Sequence, residues 1–134
     1  MYEIIEHTAD IGILVEGGEL EEFFADAALG MFAIICDSVP EGEAVSHDII
    51  LESEDMEGLL VAWLSELLFL FESDGFVPRE FRFAELESRV LEAACTGAKT
   101  HLPISGTEIK AVTHHLLKVE DTAEGWRAKI YFDL

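Results

Sequence analysis

The end of the sequence carries two carboxylates in positions that a strand would hold in place. Residues 126–132 alternate apolar and polar side chains, which predicts a strand. If Phe132 faces the core, Asp133 faces the opposite side, and the main-chain carboxylate of Leu134 lies beside it. Two such groups repel unless a cation lies between them, and hard oxygen ligands suit Ca²⁺ or Mg²⁺. The alternative is a strand that ends here with a solvated Asp133.

A second polar group lies between the first two predicted strands. His7, Thr8 and Asp10 stand in a short bend where their side chains can converge, and Gly12 allows close backbone approach. His7 and Asp10 could form an acid–base pair, although a three-residue spacing in a bend does not guarantee contact. The alternative is a turn in which Thr8 and Asp10 bond their own backbone.

The other histidines and lysines give weaker indications. His114 and His115 are adjacent in a predicted strand, so they point to opposite faces and do not easily share a metal. No histidine pair has the spacing of a zinc site. Lys110 lies on the polar face of the same strand, where it could pair with an acidic side chain or a partner, or be solvated. The sequence has no P-loop, dinucleotide fingerprint or nucleophile elbow.

Acidic residues dominate the charge. The chain has 28 acidic and 8 basic side chains, for a formal net charge of −20. Binding to nucleic acid needs Lys and Arg to replace phosphate counterions, so we expect repulsion from RNA, DNA and anionic membranes. Such a surface suits a basic protein partner or a cation. The alternative is that the acidity only maintains solubility.

Three features predict a cytoplasmic protein. Residues 1–5 lack the basic start and the long apolar run of a signal peptide. The most hydrophobic stretch, residues 59–71, is 13 residues long and includes Ser65 and Glu66, so it is too short to span a bilayer and predicts a buried helix. Cys36 and Cys95 lie in separate apolar stretches, which favours buried thiols in a reducing compartment over a disulfide.

Apolar periodicity predicts two helices and several strands. The first helix begins near Glu19 and ends before Pro40, and the second spans residues 56–72 with Ser53 as its cap. Strands are predicted at residues 1–5, 11–15, 45–52, 76–84, 86–96, 108–120 and 126–132, the last two as an antiparallel hairpin. The 134 residues are typical of a single domain. The element order favours an α+β fold, with the two helices packed on one mixed, mostly antiparallel sheet.

Several segments resemble the archease family. The early segment Glu6-His7-Thr8-Ala9-Asp10-Ile11-Gly12 is similar to a signature near the start of that family. Further similarity lies in the helix with Leu20, Phe23, Ala27 and Met31, in Glu108-Ile109-Lys110-Ala111-Val112-Thr113 with His115, and in the acidic end Asp133-Leu134. The resemblance covers essentially the whole chain, and the early and late motifs together are specific.

The resemblance implies a non-catalytic protein that assists an enzyme. Archeases promote the GTP-dependent guanylylation of the RtcB-type tRNA-splicing RNA ligase, let it turn over repeatedly, and bind a divalent cation, commonly calcium. Carried over by position, Asp10 and Asp133 are the best cation ligands, the carboxylate of Leu134 is next, and Asp37 is a weaker candidate. The candidates for partner contact are His7, Lys110 and His115. His114 departs from the family, which usually has an aromatic residue there, so this contact would be more polar and pH-sensitive.

Two alternatives remain beside the ligase activator. One is a metal-dependent hydrolase that uses Asp10, His7 and Asp133, which the absence of a nucleophile or cofactor motif disfavours. The other is a general acidic chaperone or scaffold, which the specific carboxylates at a strand end disfavour.

Overall fold

Two helices and eight strands make up a computed structural model that describes residues 1–6, 10–38, 40–100 and 105–134. The elements in chain order are β1 (Tyr2–Glu6), β2 (Ile11–Gly17), α1 (Leu20–Ile35), β3 (Glu43–Glu52), α2 (Met56–Asp74), β4 (Phe76–Leu86), β5 (Val90–Lys99), β6 (Ala111–Val112), β7 (Glu120–Thr122) and β8 (Gly125–Asp133). The predicted α+β class with two helices is confirmed.

The strands form two antiparallel sheets, where the sequence predicted one mixed sheet. The large sheet has the order β1-β2-β8-β6, and β7 also pairs with β8. The small sheet has the order β3-β5-β4, with register shifts in β4 between Pro78 and Glu80 and between Phe83 and Glu85. Alternation of side chains identifies a strand but not its partners, and so it could not show that β3, β4 and β5 pair among themselves.

Helix α1 packs on one face of the large sheet, which we call its inner face. The apolar stripe predicted for the helix is buried, including Phe23, Ala27 and Met31. The strand residues Ile13 and Ile130, which pair in the register of β2 and β8, are fully buried on this face. The opposite, outer face of the large sheet therefore carries the intervening side chains.

Helix α2 forms the centre of the core. Its cap is Asp55, whose carboxylate accepts a hydrogen bond from the Gly58 N–H at 2.7 Å, so the prediction of Ser53 as the cap was wrong by two residues. Asp55 is the cap because it is the residue directly before Met56, where the helix begins. Residues 59–71 lie within α2 and include seven of its buried side chains, as predicted. No helix in the described part of the chain is long and apolar enough to cross a membrane.

The predicted strand over residues 108–120 is interrupted. Only Ala111–Val112 and Glu120–Thr122 pair with β8 in this region. Between them the Leu117 N–H donates to the His114 carbonyl at 3.0 Å, which closes a turn, and Leu116 has φ of +54°. The alternation of apolar residues on either side of the turn reads as one continuous strand, which explains the error. The predicted antiparallel pairing with β8 is confirmed on both sides of the turn, by β6 and by β7.

Trp63 connects α2 to α1 and to the small sheet. Its side chain is 0% exposed, its indole N–H donates to the Phe24 carbonyl at 3.0 Å, and its ring lies 5.6 Å from that of Phe81 and 5.5 Å from that of Phe83. We expect Trp63→Ala to lower the free energy of unfolding by about 3–5 kcal/mol, because it leaves a large cavity in the centre of the core. Urea unfolding followed by circular dichroism measures the change.

Phe69 provides the matched control on the same helix. Its side chain is 59% exposed, so Phe69→Ala should change the free energy of unfolding by no more than about 0.5 kcal/mol. Equal losses in the two variants would contradict the assignment of Trp63 to the centre of the core.

Candidate functional site

The candidate site is the edge of the large sheet where β2 begins and β8 ends, which we call the carboxylate edge. Ile11 pairs with Phe132 in the antiparallel register of these strands. Asp10 precedes Ile11 and Asp133 follows Phe132, so the register continued by one residue sets the two aspartates opposite each other. Both are exposed. Phe132 is buried on the inner face, which leaves Asp133 on the outer face, as the sequence predicted.

Gly12 allows β2 and β8 to approach closely beside this edge. It pairs with Tyr131, and a Cβ atom at Gly12 would lie 2.5 Å from the Ile130 carbonyl oxygen and 2.9 Å from the Tyr131 ring. A side chain at position 12 would therefore push the strands apart two residue pairs away from the two aspartates. The close approach expected from Gly12 in the sequence is confirmed.

The segment that follows residue 104 attaches the end of α1 to the same edge. The Asp37 N–H donates to the Ser105 hydroxyl oxygen at 2.8 Å, and the Gly106 N–H donates to the Ile35 carbonyl at 3.0 Å. Farther along, the Lys110 N–H donates to the Asp133 carbonyl at 2.8 Å. Asp37 and Asp133 are therefore both hydrogen-bonded to the segment 105–110, at residues five positions apart.

The oxygen atoms at this end suit a hard cation, but the side chains alone do not supply a complete set of ligands. Asp10 and Asp133 place carboxylate oxygens at one strand end, which is the ligand chemistry of Ca²⁺ and Mg²⁺. The carboxylate ligand expected at Leu134 stays a prediction. Within the described ranges, no three His, Cys, Asp or Glu side chains lie close enough together to hold a metal ion. A cation held here would therefore need main-chain oxygens, water or a group from a partner in addition to the two aspartates. His7 lies outside the described residues.

His115 reaches the carboxylate edge through Tyr131. The ring of His115 contacts the ring of Tyr131 edge-to-face, with centroids 6.1 Å apart. The Thr113 hydroxyl donates to the Tyr131 carbonyl at 3.0 Å and accepts from the His115 N–H at 3.2 Å. His114 and His115 belong to a turn, so the prediction that a strand points them to opposite faces was wrong. Tyr131 and Thr113 were missed, because their contacts follow from strand pairing and leave no sequence signal.

Lys110 occupies a different environment from the predicted polar strand face. It is exposed, and it lines a shallow groove with Phe71, Glu72 and Glu108 beside the second half of α2. The difference arises because residue 110 precedes the short strand β6 and does not belong to it. Lys110 therefore lies on the helix side of the edge, in a groove that two glutamates also line.

Neither cysteine has the properties of a nucleophile. Both are free thiols, as predicted, and Cys95 is buried, whereas Cys36 is only partly buried where burial was predicted. Burial, with a smaller contribution from Asp48, raises the pKa of Cys95 to about 12. Burial and the neighbouring Asp37 also raise the pKa of Cys36 above its usual value. Catalytic thiols require a lowered pKa to form the thiolate, so these positions are those of structural residues.

An ion-pair cluster that the sequence did not indicate lies where α2 ends. Asp74 accepts from the Lys99 ammonium at 2.9 Å and lies 3.5 Å from His47 Nε2. The hydrogen bond from Lys99 lowers the pKa of Asp74 and raises that of Lys99. The cluster connects α2 to β3 and β5 and takes no part in the carboxylate edge.

The chain matches one protein family over nearly its whole length. The model described as the Archease protein family matches residues 2–134. A Methanosarcina acetivorans protein named archease is 43% identical, over 99% of this chain and 95% of its own. A protein of the same name from Pyrococcus furiosus is 37% identical, over 99% of this chain and 98% of its own.

Two solved structures have the same fold. A solution structure of a Methanobacterium thermoautotrophicum protein superposes with a TM-score of 0.76 and 28% identity, covering 99% of this chain and 98% of that one. A Thermotoga maritima crystal structure, described as an archease and "possible chaperone", superposes with a TM-score of 0.69 and 26% identity, covering 100% and 98%.

Gly12 offers a test of the close strand approach at the carboxylate edge. We expect Gly12→Ala to lower the free energy of unfolding by about 1–3 kcal/mol, because the new methyl group meets the backbone of β8, which cannot rotate away. Gly18→Ala is the control, since nothing lies within 4 Å of a Cβ atom there. Urea unfolding measures both variants, and an unchanged stability of Gly12→Ala would show that β2 and β8 are farther apart at this pair.

Proposed function

The chain belongs to the archease family, and we propose that it is a non-catalytic activator of an RtcB-type RNA ligase. In this proposal it promotes guanylylation of the ligase by GTP and allows repeated turnover, with a divalent cation bound at the carboxylate edge. The observation that carries the proposal is the β2–β8 register, which sets two exposed aspartates opposite each other at one end of the sheet.

The cation part of the proposal depends on carboxylate chemistry. Asp10, Asp133 and the carboxylate of Leu134 are the proposed ligands, with Asp37 a weaker one. A cation, Ca²⁺ or Mg²⁺, would reduce the repulsion between these groups. Because two side chains give an incomplete ligand set, the cation keeps open positions that a group of the ligase can occupy.

The partner part of the proposal depends on charge and exposure. A formal net charge of −20 favours association with a protein that has a basic RNA groove, and the long-range field increases the association rate. Asp10, Asp133 and His115 are exposed. The two aspartates lie at one strand end, and His115 contacts Tyr131, which pairs with Gly12 two positions from that end. Docked near the ligase active site, this end either orders the groups that receive the guanylate or places a cation there. Lys110, on the helix side, is a further contact candidate, as is His7.

A general chaperone is the second candidate. It is favoured by the acidic surface and by the description "possible chaperone" of the Thermotoga maritima structure. A chaperone that acts through overall charge would tolerate the loss of one carboxylate, since the net charge would change only from −20 to −19. An activator that acts through the carboxylate edge would not tolerate it.

Guanylylation of the ligase tests the proposal directly. We expect the wild-type protein to accelerate incorporation of radiolabelled GMP into the ligase of the same organism under multiple-turnover conditions. Asp10→Asn and Asp133→Asn should reduce the acceleration by about a hundredfold or more, because each removes a charged ligand.

Asp121→Asn is the matched control for this experiment. Asp121 pairs with Trp126 at the opposite end of β8, so its substitution makes the same charge change far from the carboxylate edge. We expect full activity. Equal activity of all three variants would favour the charge-based chaperone, and no acceleration by folded wild-type protein would exclude the activator.

Thermal unfolding tests the cation separately. A bound cation should raise the melting temperature by several degrees, since a concentration of 100 times Kd stabilises the folded state by about 2.7 kcal/mol. Differential scanning calorimetry with Ca²⁺ or Mg²⁺ should show the shift in the wild-type protein and in Asp121→Asn, but not in Asp133→Asn. The absence of a shift with either ion would contradict the site.

A further inference from the structure

Leu116 combines two properties that are unusual for a leucine. Its side chain is 76% exposed, the highest value among the exposed large apolar residues of the described chain. Its φ of +54° lies in the left-handed region, which a branched side chain disfavours and glycine accepts freely. The hydrogen bond from the Leu117 N–H to the His114 carbonyl closes a four-residue turn, of which Leu116 is the third residue. In turns with a positive φ at this position, glycine or asparagine is the preferred residue.

Neither folding nor burial accounts for leucine at this position. Replacement by glycine would relieve the backbone and would cost no buried contact. A residue that is strained where it stands and exposed to water is typical of a site that acts on another molecule. The turn is also held in place, because Thr113 bonds the Tyr131 carbonyl and the His115 ring contacts that of Tyr131.

The surface next to Leu116 differs in charge from the rest of the protein. Leu116 lines a shallow groove on the outer face of the large sheet with Leu14, Lys118, Arg127 and Lys129. These three cations are among only 8 basic residues in the chain. Arg127 pairs with Glu16, with Nε 3.4 Å from Oε1, whereas Lys118 and Lys129 form no ion pair with any described residue.

We propose that the Leu116 turn and this groove form a docking surface for an apolar pocket rimmed by acidic side chains on the protein partner. Leu116 fills the pocket, and Lys118 and Lys129 pair with its rim. The inference rests on the proposed function, since it takes that partner to be the ligase. Most of the protein surface is acidic and attracts basic regions of the partner. A single basic groove with an apolar side chain beside it is attracted to an acidic region instead, and it therefore sets the orientation of the docked protein.

The groove fits a protein better than the other occupants. RNA would meet Glu16 and Glu120 beside the cations and an apolar side chain at the tip of the turn, in a chain with a net charge of −20. A second copy of the chain would bring two such charges together, which opposes association. Apolar side chains that insert into a partner pocket with charged groups around them are typical of protein interfaces.

Leu116→Gly separates docking from folding. The variant should have a melting temperature equal to or above that of the wild type, because glycine accepts the positive φ. The concentration that gives half-maximal ligase guanylylation should rise about tenfold or more, as for loss of an interface anchor. The maximal rate at saturation should be unchanged, because the carboxylate edge remains. Leu116→Ala should show the same rise and serves if the glycine variant does not fold.

Two matched controls complete the experiment. Ile50→Ala removes an apolar side chain that is 71% exposed on the small sheet, and its half-maximal concentration should be that of the wild type. Lys118→Glu should raise the half-maximal concentration, whereas Arg82→Glu, the same charge change at an exposed position of β4, should not.

Three results would overturn the inference. The first is a wild-type half-maximal concentration for Leu116→Gly while Asp133→Asn is inactive, which leaves the proposed function intact. The second is binding of single-stranded RNA by the protein alone that Lys118→Glu abolishes, which would assign the groove to RNA. The third is no activation by wild-type protein at any concentration, which removes the proposed function and the inference together.

Discussion

The pairing of β2 with β8 is the constraint on which the rest of the structure depends. Seven consecutive residue pairs join the two strands, from Ile11–Phe132 to Gly17–Trp126. Their inner face is buried against α1, and their outer face carries Glu16, Arg127, Leu14 and Lys129. A shift of one residue would exchange the two faces and bring polar side chains into the core. The buried pair Ile13–Ile130 therefore determines the register, and the register in turn sets Asp10 opposite Asp133.

The same pairing organises the two surfaces to which we assign functions. The carboxylate edge lies at one end of β8, and the basic groove with Leu116 lies farther along its outer face. Thr113 and His115 connect them through Tyr131. A partner that contacts both would meet carboxylates at one point and an apolar, cationic patch at another. Such a bipolar arrangement on a single rigid sheet determines orientation as well as affinity.

Helix packing supports the inner face of this sheet. Trp63 of α2 is hydrogen-bonded to the backbone of α1 and contacts the aromatic residues of the small sheet. The two helices and both sheets therefore share one core. The Asp74–Lys99 ion pair and the Gly106–Ile35 backbone bond attach the ends of the helices to neighbouring chain segments. The strands of the large sheet are therefore held by packing, and their polar outer face is left available for function.

Local patterns in the sequence were sufficient for the helices, most strands, the free thiols and the burial of Cys95, the role of Gly12 and the outward direction of Asp133. Each of these follows from the period of apolar residues or from the chemistry of one residue in its immediate surroundings. They were not sufficient for the division into two sheets, the Asp55 cap, the turn at residues 114–117 or the environment of Lys110. Sheet pairing joins residues more than a hundred positions apart, and a turn can interrupt a strand without breaking its apolar alternation. The positive φ of Leu116 and the contacts of Tyr131 arise only when β8 pairs with its neighbours, so only the tertiary structure could decide them.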